Sequence, residues 1–206
     1  MRYSRIAAAA ATLASIFAFA AAVPSAAAAK APTLTPGQKV LNAATSHIGQ
    51  GPSIVLTAAQ IAAGEAWCSE FGSLVYTEGG AGALFTLGTP GTAVNTSTNR
   101  WFTWASANSR LRWSDPALKL DPTLPNSILT ANVNVQPGDI VLEWHWKSST
   151  NAWSTHTAIV KSVTVNSTGR KVFNTIDGNW NGVVSTRTVD TDLKGKIFAV
   201  VAPTNV

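Results

Sequence analysis

Apolar and polar positions follow two periods along this chain, helical in its first half and alternating after Pro137. Thr35-Pro36-Gly37-Gln38 is a helix start, with a Thr cap, Pro at the first helical position and Gln to close a capping box. The helix it opens runs to about His47-Ile48, with Val40, Leu41, Ala44 and Ile48 on its apolar face, and stops at Gly49. A second short helix is predicted over residues 54–63, ending at Gly64. A third covers residues 68–77, with Phe71, Leu74 and Val75 inward and Gly79-Gly80 as its stop. Residues 79–96 are rich in Gly, Thr and Ala and read as a mobile loop. Residues 97–107 read as a helix with Trp101, Phe102 and Trp104 as its aromatic face, and 114–136, carrying Pro116, Pro122 and Pro125, as an irregular connection.

Beyond the Pro137-Gly138 turn, strands are predicted at 140–146, 155–165, 171–177, 183–189 and 196–201, with Asn166-Ser167-Thr168-Gly169 as a hairpin loop. Helices first and an antiparallel meander afterwards make an α+β arrangement in one domain over residues 30–206. No internal repeat is present.

Residues 1–29 stand apart. Arg2 and Arg5 precede an uncharged Ala-rich run, followed by Val23-Pro24-Ser25 and further alanines up to Lys30. That is the form of a secretory signal peptide, and the run is too short and too weakly apolar for a membrane anchor. Secretion without membrane attachment is the expectation. Without Arg2 and Arg5, the 15 basic residues become 13 against 10 acidic ones. An excess of three, scattered without a basic cluster, gives no footprint for nucleic acid.

The chain has one cysteine, Cys68. A secreted chain with a single Cys cannot form an internal disulfide, so this thiol is an intermolecular bridge, an inert buried residue or a nucleophile. Cys68 opens a predicted helix, where the partial positive charge favours a thiolate and free amides can receive an oxyanion. A thiolate needs an imidazole held by a third polar group. His47 lies on the first helix, where a structural role is expected. His145 and His156 lie on strands, and the position of His156 at a strand opening favours it, a surface histidine being the blander reading of either. Asp177 and Asn179 close the next strand, and period-two geometry turns both to one face unless Gly178 bends it. Their plainer reading is a hairpin turn.

Four segments together resemble one family. Trp67-Cys68-Ser69-Glu70-Phe71 looks like the nucleophile motif of CHAP domains, the cysteine, histidine-dependent amidohydrolases/peptidases. Pro137-Gly138-Asp139-Ile140-Val141 resembles their strand opening, His156-Thr157-Ala158-Ile159-Val160 the histidine strand, and Ile176-Asp177-Gly178-Asn179-Trp180 the acidic segment after it. The order is the family's, over residues 40–190. Ser69 stands where the family often has Ala, Thr155 where Gly commonly precedes the histidine, and Asp177 where Glu is frequent.

The resemblance implies a papain-like fold and hydrolysis of amide bonds in peptidoglycan, as an endopeptidase or as an N-acetylmuramoyl-alanine amidase. Cys68 becomes the nucleophile, His156 the base and Asp177 the orienting group, with Asn179 assisting. A monomer is expected, with no cofactor and no metal, because no acidic cluster resembling a calcium loop is visible. Eight tryptophans are unusual for this length. Trp144 fits a core position, Trp101 and Trp104 fall near the implied cleft, and Trp67, Trp153 and Trp180 are the expected substrate contacts. The same three groups would also serve a protease or transglutaminase acting on proteins. A secreted wall-binding or effector module without turnover is the non-enzymatic alternative.

Overall fold

The structure, a computed structural model, describes residues 32–82, 98–189 and 195–206. The expected signal peptide and most of the 79–96 loop lie outside the described residues. The helices are α1 (Pro36–Ser46), α2 (Ala58–Ala62), α3 (Cys68–Glu78), α4 (Thr98–Ala107) and α5 (Pro116–Leu120). The strands are β1 (Leu111–Ser114), β2 (Ile140–Lys147), β3 (Ala152–Val165), β4 (Lys171–Trp180), β5 (Val183–Val189) and β6 (Gly195–Val201). The fold is α+β. Among the described residues, six strands make one antiparallel sheet in the order β1-β6-β2-β3-β4-β5.

Thr35 caps α1 in a full capping box with Gln38, as its sequence predicts. The expected 54–63 helix is shorter than predicted. A 3₁₀ turn at Pro52–Ile54 comes first, and a second capping box, Thr57 with Gln60, starts α2 only at Ala58. Strands β2 to β5 form the predicted meander, but β6 does not extend it. That strand returns to the other edge of β2, where Val200 faces Val141 and Ala199 faces Leu142. Outside it lies β1, which the sequence pattern did not predict. Its four residues are too few to show an alternation, and they form a strand because β6 offers a free edge.

The sheet is apolar on both faces. Ile140, Leu142, Ile159 and Ile176 pack with Phe71, Val75, Tyr76 and Trp101 of the helices. The alternate positions, among them Val141, Ala158, Val160 and Phe173, pack with Ile128 and Leu129. The segment expected to be an irregular connection therefore contains α5 and a 3₁₀ turn at Ser127–Leu129, and it supplies apolar cover for the second face. Its prolines start or flank short helices rather than preventing them.

Helix α3 carries the sole cysteine and crosses β3 and β4. Gly178 permits this approach, since a Cβ there would overlap the Phe71 side chain. Tryptophan 101 of α4 donates from Nε1 to the Ser69 carbonyl at 3.3 Å, and Ser69 Oγ lies 2.9 Å from Thr157 Oγ1 on β3. The first turn of α3 is thus pinned to the strand that carries His156.

Candidate active site

Cys68 is the first residue of α3, and Trp67, the N-cap, makes no side-chain cap bond. A helix N-terminus presents backbone N–H groups and partial positive charge, which favour an anion beside the sulfur. The β3 strand brings His156 to the same place, close enough for the imidazole and the thiol to shift each other's ionisation. The other side of the imidazole is also engaged: Nε2 lies 2.8 Å from Asp177 Oδ2 on β4. With Nε2 on the carboxylate, Nδ1 is the nitrogen that faces the thiol. Cys68, His156 and Asp177 are all buried.

Electrostatics act on the three as one unit. Burial pushes the Cys68 thiol up, but the charge and hydrogen bond of His156 and the Thr157 backbone bond outweigh it, and Glu70 opposes them weakly. The thiol therefore titrates below its ordinary value. Burial pulls His156 down, yet the Cys68 sulfur and the Asp177 carboxylate raise it to about 10. Burial likewise opposes ionisation of Asp177, and Arg187 and His156 hold its carboxyl below the usual range. These shifts favour a thiolate–imidazolium pair backed by a carboxylate.

The alternative between Asp177 and Asn179 resolves through local backbone geometry. Both would face the imidazole on a regular strand, but the β4–β5 ladder shifts register between Asp177 and Trp180, and Asn179 adopts a left-handed φ of 61°. Asp177 keeps the imidazole while Asn179 lines the groove over it. The hairpin turn lies beyond both, at Asn181-Gly182, whose φ values of 57° and 81° suit a type I′ turn.

The groove has a volume of about 220 Å³, and its lining includes Ala66, Cys68, His145, His156, Asn179 and Trp180. His145 stands edge-on to Trp180 with ring centroids 4.7 Å apart, and 6.4 Å from His156. It forms a wall of the site rather than the base. The expected aromatic contacts divide. Trp180 lines the groove. Trp67 is only 2% exposed and stands edge-on to Phe71, so its ring anchors the start of α3 in the core. Trp153 is half-buried against Trp146, with Lys196 over its ring, and is not among the groove residues. Trp101 is core, and Trp104 is half-buried against it.

Two groups were not anticipated. Arg187 of β5 donates from Nε to Asp177 Oδ2 at 2.8 Å and from a terminal nitrogen to Glu143 Oε1 of β2. Both carboxylates are fully buried. Glu143 is directly opposite His156 in the β2–β3 ladder. The available signal was parity: Arg187 shares the strand face of buried Val189, and a cation there needs an anion. Glu143, His156 and Asp177 offer ligand atoms within 4.8 Å of one another, a spacing a cation would suit. The Arg187 guanidinium already donates to both carboxylates and so supplies a cation between them within the chain.

Comparison with family models, with curated proteins and with solved structures returns no match for this chain.

Proposed function

We propose that this protein is a secreted cysteine hydrolase of the CHAP type, papain-like in its site, that cleaves amide bonds of peptidoglycan peptides. The observation that carries the reading is the groove lined by both Cys68 and His156, with Asp177 buried behind the imidazole and hydrogen-bonded to its Nε2. The Cys68 thiolate attacks the amide carbonyl, and the oxyanion that forms is stabilised by the partial positive charge at the α3 N-terminus. The His156 imidazolium gives its Nδ1 proton to the leaving amine, and the C–N bond breaks to leave a thioester on Cys68. Nδ1 then takes a proton from water, whose oxygen attacks the thioester; the product acid leaves and the thiolate returns. Asp177 stays ionised throughout and holds the ring by Nε2. Trp180 and His145 supply flat walls for a peptide or sugar.

The test is incubation of the purified protein with peptidoglycan and mass spectrometry of the fragments. New peptide amino termini identify an endopeptidase, and peptide lost from muramic acid identifies an amidase. Intact polymer with an active-site thiol of ordinary reactivity overturns the reading in favour of a binding module.

A further inference from the structure

The proposed catalytic series continues beyond Asp177. From Cys68 outward, charges alternate: thiolate, His156 imidazolium, Asp177 carboxylate, Arg187 guanidinium and Glu143 carboxylate. These groups come from α3, β3, β4, β5 and β2. Oδ2 of Asp177 accepts from both His156 Nε2 and Arg187 Nε at 2.8 Å, whereas Oδ1 of Asp177 and Oε2 of Glu143 are buried without a hydrogen-bond partner. Arg187 donates to both of these buried carboxylates and so places a cation between them. The Arg187 side chain is 9% exposed. It also lies under the Trp180 ring, 4.4 Å from its centroid, and so joins the anion behind the imidazole to a wall of the groove.

We propose that Arg187, fixed by Glu143, is a positioning residue of the reaction: it keeps Asp177 an anion with Oδ2 aimed at His156, and thereby keeps Cys68 a thiolate. This inference rests on the proposed cysteine chemistry. Without Arg187 the buried Asp177 carboxyl loses its neighbouring cation and is more readily protonated, and whenever it holds a proton, Nε2 loses its anion. The imidazolium is then less favoured, and the thiol titrates higher. Among the described residues, His145 and Lys147 from β2 and Glu70 from α3 also face this series. None of these three is altered by the variants below.

The experiment follows the pH dependence of iodoacetamide alkylation of Cys68 in the full folded chain, which needs no substrate. Arg187→Met is compared with native protein, with His156→Ala and with the charge-balanced double variant Arg187→Met/Glu143→Gln, each checked for folding by near-ultraviolet circular dichroism. Arg187→Met moves the midpoint up by at least about one pH unit, a tenfold slower reaction below both midpoints. The double variant lies between native and Arg187→Met, because its charge is balanced but Oδ2 has lost its guide. If Arg187→Met does not fold, the double variant carries the test, with a midpoint expected between native and His156→Ala. An unmoved Arg187→Met profile, or a double variant at either extreme, overturns the inference. A native profile of an ordinary thiol instead overturns the cysteine chemistry itself, so the two failures are distinct.

Discussion

Two regions of this protein hold the same pair, a histidine whose Nε2 lies 2.8 Å from a carboxylate oxygen. At the end of α1, His47 meets Glu78 of α3; in the sheet, His156 meets Asp177. The difference lies in the second ring nitrogen and in the solvent. Nδ1 of His47 faces the Gln50 amide oxygen, and Glu78 is 40% exposed. His156 turns its second nitrogen to the only thiol in the chain, and Asp177 is fully buried with Arg187 behind it. An imidazole–carboxylate pair is therefore not a site by itself. It becomes one when its free side meets a nucleophile where water cannot screen the charges.

The largest expected effect breaks this comparison at the nucleophile and the base. Cys68→Ala lowers turnover on the order of a millionfold, because members of such a series act as a unit. His156→Ala costs several orders of magnitude in kcat. His47→Ala, which removes the twin pair, leaves kcat within about twofold. These are read as single-turnover rates on a soluble wall fragment. A His47→Ala rate reduced as far as that of His156→Ala would mean that the wrong pair has been assigned.

The next effect sharpens it by pH. The thiolate–imidazolium state of Cys68 and His156 exists from the lowered thiol value up to about 10, where the imidazolium deprotonates. Turnover therefore falls on two limbs, at low pH because the thiolate is protonated and near pH 10 because no proton remains for the leaving amine. Alkylation by iodoacetamide requires only the thiolate, so it persists above pH 10 while hydrolysis fails. Parallel loss of both rates on the alkaline side would show that something other than His156 titrates there.

The two tryptophans that bracket the site separate packing from recognition. Trp67→Ala empties a core position and costs about 3–5 kcal/mol of stability, measurable by urea unfolding, with KM little changed in the protein that remains folded. Trp180→Ala removes a groove wall and raises KM several-fold at a smaller cost in stability. Reversed assignments would return Trp67 to the substrate contacts that its place beside Cys68 implied.

That reversal illustrates what was legible in the sequence. Cys68, His156 and Asp177 were readable because each sits in a local string on its own element, a helix start or a strand. The order of helices and strands was readable from the change of period at Pro137. Position next to the nucleophile says nothing about which way an indole points, so Trp67 misled. Glu143 and Arg187 lie 44 residues apart, and their pairing depends on strands β2 to β5 aligning in one register. The edge strand β1 and the return of β6 to β2 are tertiary choices of the same kind, made by burial rather than by propensity.

The smallest effect tests the surface member of the twin pair. Burial pulls His47 down, but its bonds to Gln50 and Glu78 raise it above its ordinary value near 6.5. A group raised on folding contributes its stability fully below the unfolded value and loses it as pH rises through the folded value. The His47–Glu78 pair thus helps the fold at pH 5.5, and its charge contribution has faded by pH 8.5. Glu78 is well exposed, so solvent screening keeps the contribution under about 1 kcal/mol. Glu78→Gln should lower the melting temperature slightly at pH 5.5 and by less at pH 8.5, and added salt should shrink the difference at the lower pH. Equal losses at both pH values would mean that Glu78 acts on neutral His47 through the hydrogen bond alone. The contrast with the buried His156 would then rest on charge in one region and on geometry in the other.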